Sequence, residues 1–295
     1  MKIAEFAMDT ASLAGPLPAK LRAMRAAGFG QLTLSARDLV GHEQGLEAAI
    51  AAVRASGLRV AAFGALRDFE GLSGPLHEHK VGMAKSMIQM CAALGCKVLV
   101  ASASTHRQSS TDGATLSRDL HKLGMLALPH GIQIAYEALS WARTVRHYTK
   151  AWELVDRADC PNLGIALASA HVFAGKDDLD DLDLVDPLRI HLVQLSDFMS
   201  DEPPTLEENI AAGHNSRVFP GEGVNSEGLS QFVLALDRLG YRGNYSFDVS
   251  NDDYQQLPLP AVAERARRSA VWLSEDVLRR LVPLPGAMRL RTPSA

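Results

Sequence analysis

Five short strings in this chain repeat one grammar: MRAAGFGQLTL, VRASGLRVAAF, CAALGCKVLVA, LALPHGIQIAY and LDRLGYRGNYSF. In each, a helix-like apolar run ends in glycine (Gly28, Gly57, Gly95, Gly131, Gly240) and a strand-like apolar run starts almost at once. Glycine closes a helix in the left-handed conformation without a Cβ clash, so each string predicts a tight helix-to-strand turn. The segments before the glycines carry helical spacing: Leu46, Ile50 and Val53; Met83, Met87, Met90 and Leu94; Leu229, Phe232, Leu236 and Leu239. Val145, Tyr148, Trp152 and Val155 repeat it elsewhere. Such stripes are the faces that helices lay on a sheet, and the methionines need no cofactor to explain them.

Strand-like segments fall at 2–8, 30–36, 59–66, 97–103, 132–138, 162–168, 190–196 and 243–249. Alternation of β and α with near-continuous apolar strands predicts a parallel sheet covered by helices, and eight repeats predict closure into a (β/α)8 TIM barrel. A doubly wound α/β sheet is the alternative. One barrel domain is expected over 1–281, with VPLPGAMRLRTPSA at 282–295 a frayed tail. The longest irregular stretch, 197–226, is expected to be the loop after strand seven.

With 47% hydrophobic and 22% charged residues among 295, the chain can bury a sizeable core. A net charge of -4, with Lys and Arg scattered, supplies no basic stripe and argues against a nucleic-acid partner. Three cysteines (Cys91, Cys96, Cys160) form no CxxC pair, which predicts reduced thiols in a cytoplasmic protein and no thiolate metal site. The N-terminus has no apolar leader and no run approaches eighteen apolar residues, so no membrane partner is expected.

Chemistry in such barrels sits at the C-terminal mouth. Those places hold Arg67 and Asp68, Ser102 and Ser104, Glu137, His171, Gln194 and Asp197, Asp248 and Asn251. Glu137 and Asp248 stand out because they interrupt strands that are otherwise apolar or weakly polar, and a buried carboxylate needs a counter-charge or a metal. Gln194 adds a neutral oxygen. An all-oxygen set suits Mg²⁺ or Mn²⁺ rather than zinc or copper; pairing of the two acids with arginines inside the mouth is the other reading.

The strings RDFEG (67–71), IAYEALSW (134–141), NLGIALASAH (162–171), VQLSD (193–197), RVFPGEG (217–223) and GYRGNYSFDVSND (240–252) resemble bacterial 3-dehydroshikimate dehydratases of the xylose-isomerase-like barrel superfamily. The match runs in order from strand one to strand eight. Some of those relatives carry a dioxygenase-like domain after the barrel, and this chain stops before it. The resemblance implies a divalent ion held by Glu, Asp, Gln and Glu from strands five to eight, with Glu137 as the first ligand and Gln194 as the third. The second position reads Ala168 within LASAH, and the fourth is Asp248, one methylene short of the family's glutamate. Water could complete such a set around Mg²⁺. Strand two departs as well, with Thr33 and Ala36 where the relatives carry acids.

By the same resemblance His171 is the general acid/base, while Arg67 and Arg217 hold a substrate carboxylate through charge-assisted hydrogen bonds. The implied activity is a metal-assisted lyase converting 3-dehydroshikimate to protocatechuate on a small anionic cyclic keto acid. A sugar or inosose isomerase or epimerase needs the same parts. Ala168 motivates a third possibility, a metal-free relative that binds a ligand without turnover. The related barrel endonucleases fit least, because Ala168 and Gln194 thin the cluster they need. Barrels of this kind often associate through helices and loops, so a homo-oligomer is compatible with the chain.

Overall fold

A computed structural model describes residues 2–199 and 205–278; the tail expected at 282–295 lies outside the described residues. The strands are β1 (Phe6–Asp9), β2 (Gln31–Ser35), β3 (Arg59–Arg67), β4 (Val98–Ser102), β5 (Gln133–Glu137), β6 (Leu163–Ala168) and β7 (Ile190–Leu195), then β8 (Asp197–Phe198), β9 (Arg217–Val218) and β10 (Tyr245–Phe247). Strands β1 to β7 with β10 close into a parallel barrel in the order β1-β10-β7-β6-β5-β4-β3-β2. This is the (β/α)8 barrel expected, and the doubly wound alternative falls because β1 pairs with both β2 and β10.

All five glycines of the repeated strings have positive φ, from +61° at Gly131 to +95° at Gly240. The turns therefore form where the sequence places them. Most positions of the apolar stripes pack inward, with Val53, Met87, Leu94, Leu229, Phe232 and Leu236 buried, while Leu46 and Met83, the first positions of their stripes, are exposed.

The stretch 197–226 is more ordered than a loop. It holds the antiparallel hairpin β8–β9 and a helix, Leu206–Asn215, between them. Its anchor is the fully buried Asp197. Asp197 Oδ1 accepts from the backbone N–H of Phe198 at 2.7 Å and of Asn225 at 3.0 Å, and from Asn225 Nδ2 at 3.1 Å. A short hairpin lacks the periodicity that marks a strand in sequence.

The interior of the barrel is layered, because alternate residues of each strand point inward. At the N-terminal end Arg59 Nη2 donates to Gln31 and, at 2.8 Å, to Asn244 Oδ1, closing that end with side chains. In the middle lie Ala62, Val98, Val100, Ala135, Ala166 and Leu192. Most of these are small, so the C-terminal end is left concave.

Candidate active site

A cavity of about 240 Å³ opens there, and Arg67, Glu137, His171, Gln194, Arg217 and Asp248 all line it. Register explains the convergence. Ser102 pairs with Glu137, Ala168 with Gln194, and Gln194 with Ser246, two residues before Asp248. Six positions far apart in sequence thus share one rim.

Glu137 ends β5 and is 6% exposed, with Ser102 Oγ donating to its Oε2 at 2.8 Å. Burial, reinforced by the negative charge of Asp248, pushes its carboxyl up to about 7; the Ser102 bond and the Arg217 and Arg67 charges pull weakly the other way. Gln194 Oε1 is buried without a hydrogen-bond partner.

Asp248 is engaged differently, since Arg217 Nη1 donates to its Oδ2 at 2.6 Å. The pairing of acid with arginine foreseen as the other reading is thus present at Asp248, while Glu137 relies on Ser102. Arg217 reaches this place because its backbone is fixed twice: its N–H donates to Ser250 O at 3.0 Å, and its carbonyl accepts from Asn251 Nδ2 at 2.9 Å. Its guanidinium is 6% exposed, and Nε has no partner. Arg67 stands exposed at the outer lip.

His171 is buried, with Nδ1 3.3 Å from both the backbone N and the Oγ of Ser140. The backbone N–H can only donate, so it places the imidazole proton on Nε2. Burial, then the positive charges of Arg217 and His214, hold the ring well below the ordinary histidine range, hence neutral. Trp141 packs edge-on against His171 at 4.6 Å between ring centroids, and in a tilted contact against His214 at 5.2 Å. Gly213 makes room for that indole, for a Cβ there would lie 2.5 Å from Trp141 Cζ3.

Asp9, Trp141 and His214 are among the lining residues that sequence reasoning did not single out. Asp9 ends β1, 8% exposed, with Oδ1 accepting from Ala11 N at 2.7 Å; burial and the Asp248 charge raise its carboxyl well above the usual range. The signal was present, an acid closing the apolar run FAM. Trp141 and His214 carried no comparable mark, since each sits in an irregular or helical segment where polar and aromatic residues are ordinary. Ser104, Asp197 and Asn251, noted as polar strand-end residues, do not line the cavity and serve the surrounding framework.

The oxygen set meets the demands of a hard divalent ion in part. Two carboxylates, Glu137 and Asp248, and one amide oxygen, Gln194, face the cavity, whereas Ala168 offers a methyl group. Among the described residues no group of three His, Cys, Asp or Glu side chains is placed to hold a metal. Still, Mg²⁺ commonly takes one or two carboxylates and keeps several waters. An unpartnered Gln194 oxygen and a buried Glu137 carboxyl with one hydroxyl donor, both on this cavity, are deficits that such an ion would satisfy. The residues present therefore fit a reduced divalent site.

Comparison with known proteins agrees with the fold. The chain is 32% identical to a 3-dehydroshikimate dehydratase of Pseudomonas aeruginosa over 90% of its own length and 41% of the relative's. It is 25% identical to an inosose isomerase of Bacillus subtilis over 71% of this chain and 74% of that one. A solved xylose isomerase-like TIM barrel/4-hydroxyphenylpyruvate dioxygenase fusion protein superposes with a TM-score of 0.87 at 29% identity, covering 95% of this chain and 44% of the other. The IOLI protein with a bound zinc atom shares the fold, with a TM-score of 0.80 at 20% identity over 92% of this chain and 99% of that one. The chain thus spans less than half the length of the dehydratase and the fusion protein. No helix among the described residues is long and apolar enough to cross a membrane. A family model for the xylose isomerase-like TIM barrel matches residues 21–275, and the chain belongs to that family.

Proposed function

We propose that this barrel is a divalent-ion-assisted enzyme acting by proton transfer beside a carbonyl, in the first instance a dehydratase of 3-dehydroshikimate type. The observation that carries the reading is the convergence of Glu137, Gln194, His171, Arg217 and Asp248 on one cavity. Similarity to the Pseudomonas dehydratase over 90% of the chain favours dehydration over isomerisation.

In this reading Glu137, Gln194 and Asp248 hold Mg²⁺ or Mn²⁺, which supplies positive charge to an oxygen as negative charge develops on it. Glu137 must ionise to do so, against the burial that pushes its carboxyl up to about 7. His171 keeps Nδ1 on Ser140 and, staying neutral, donates its Nε2–H as a hydrogen bond to the hydroxyl that departs, which leaves as water with the proton removed from the carbon beside the carbonyl. Arg217 and Arg67 draw in the substrate carboxylate, and Trp141 walls the site beside His171, limiting water. Such a site takes a small anionic cyclic keto acid.

Incubation with Mn²⁺ or Mg²⁺ and 3-dehydroshikimate is expected to produce the absorbance of a catechol. A flat trace at high protein concentration counts against dehydration. The same parts serve an isomerase, as in the 25% identical inosose isomerase. Deuterium from solvent appearing in recovered keto sugar, without loss of water, would establish that second reading instead.

A further inference from the structure

Of the residues that line the cavity, two have a buried polar atom with no partner, and the two atoms are of opposite kind. Gln194 Oε1 is an acceptor and calls for a cation or a donor. Arg217 Nε is a donor on a cation and calls for an anion. On the same cavity Arg217 Nη1 donates to Asp248 Oδ2 at 2.6 Å. Asp248 belongs to the oxygen set and Arg217 to the anion-binding set, so one ion pair ties the two half-sites together.

We infer that the Arg217–Asp248 pair is a latch that couples cation binding to anion binding, an inference that rests on the divalent-ion reading above. Each partner restrains the other. If Arg217 turned to an anion alone, Asp248 would be left part-buried beside Glu137 with no counter-charge, which is costly. If Asp248 turned to a divalent ion alone, the buried guanidinium would face a dication with no acid beside it. When both ligands arrive, Asp248 takes the ion, Arg217 takes the carboxylate, and both unpartnered atoms gain partners. Neither ligand is favoured singly as much as the two together.

The latch has room to act because the backbone of Arg217 is fixed, by Ser250 O and Asn251 Nδ2, while its side chain bonds Asp248 among the described residues. Release therefore costs a side-chain rotation and no unfolding of the β8–β9 hairpin. Asp248 directly follows β10 and is likewise anchored through its N–H to Leu195 O at 3.2 Å. The device needs no lid.

The test is a pair of titrations by calorimetry, using Mn²⁺ as the ion and shikimate, which has no ketone to react, as the acid. In the wild type, saturating shikimate is expected to tighten Mn²⁺ by about tenfold or more, and Mn²⁺ to tighten shikimate by the same factor, as linkage requires. Arg217→Met is expected to bind Mn²⁺ alone more tightly than wild type and to lose the coupling. Asp248→Asn is expected to bind shikimate alone more tightly and to lose it too, so the inference stays testable if one variant fails to fold. A crystal structure with both ligands should place Arg217 and Asp248 more than 4 Å apart. Equal coupling in wild type and Arg217→Met, or an intact pair with both ligands bound, overturns the latch. Should Mn²⁺ bind and Glu137→Gln abolish it while Arg217→Met changes nothing, the proposed function stands and the latch falls. Mn²⁺ binding to neither wild type nor Arg217→Met overturns both.

Discussion

Two buried glutamates meet β5 from opposite faces, and they share a carboxyl raised to about 7 by burial. Glu70, outside the barrel, has Oε1 accepting from Ser104 N at 2.6 Å and from Tyr136 Oη at 2.9 Å, while its backbone carbonyl accepts from Ser109 Oγ at 2.9 Å. Glu137, inside, accepts from Ser102 Oγ among the described residues and faces a cavity. Burial and acidity alone do not separate them. What separates them is completion: the framework supplies Glu70 with its donors, whereas among the described residues Glu137 receives one hydroxyl and leaves work for a ligand.

The comparison breaks most sharply on Mn²⁺ binding. Glu137→Gln is expected to lower Mn²⁺ affinity by more than about 100-fold, since outer-shell changes alone typically cost 10 to 100-fold. Glu70→Gln should leave it unchanged, because the amide oxygen can accept both existing bonds. Calorimetry on the two variants side by side decides the matter; equal losses would erase the distinction.

Stability should show the reverse order. Glu70→Ala strands the Ser104 N–H and the Tyr136 hydroxyl in a dry site, at a cost of about 3 kcal/mol for two unmet donors and the space left behind. Glu137→Ala opens onto a cavity and frees only Ser102, so denaturant melts should move much less.

A third difference appears with pH. The folded state holds the Glu137 proton to about 7 and the unfolded chain to about 4.5, so the native form binds the proton more tightly. The stability tied to this group is therefore full below pH 4.5 and is lost as pH rises to about 7, by at most about 3 kcal/mol. His191, lowered to about 4, works in the opposite sense, with stability present above its unfolded value and lost on acidification. Glu137→Gln should consequently stabilise the ion-free protein at pH 8 and not at pH 4, by urea titration. With Mn²⁺ present, wild-type affinity should climb up to tenfold per pH unit until about pH 7 and then level off, because the ion displaces the Glu137 proton. Glu70→Gln should keep that slope.

How much of this was legible in the chain depends on whether the information was local. Helix-to-strand turns were legible, since a left-handed glycine is a local requirement, and so were the strands, because burial on both faces writes a continuous apolar run. Glu137 could be singled out by the same logic, as a charge intruding on such a run. The ion pair of Arg217 with Asp248 could be named only as one of two readings, for it depends on a hairpin of two-residue strands that writes no period. Asp9 went unweighed because a single acid after three apolar residues is common at chain starts. Glu70 stood in view within RDFEG, yet its donors lie 34 and 66 residues away, and nothing in the string says whether they arrive.

The smallest expected effect probes the outer face of β5 by itself. Tyr136 and Glu137 are neighbours in sequence, but successive side chains of a strand point to opposite sides, so the tyrosine serves Glu70 and the glutamate serves the mouth. Tyr136→Phe removes one hydroxyl donor, and Glu70 Oε1 keeps its Ser104 bond. The loss should be about 1 kcal/mol, the ordinary net worth of one hydrogen bond. Because that bond favours the ionised form of Glu70, its removal should raise the Glu70 carboxyl further, and the destabilisation should grow as pH increases through 7. Mn²⁺ affinity should not move, since the ring still packs in the outer layer and the inward side of the strand is untouched. A Tyr136→Phe variant that binds Mn²⁺ several-fold more weakly at unchanged fold would mean that the two faces of β5 are energetically joined, and that the outer carboxylate belongs to the site after all.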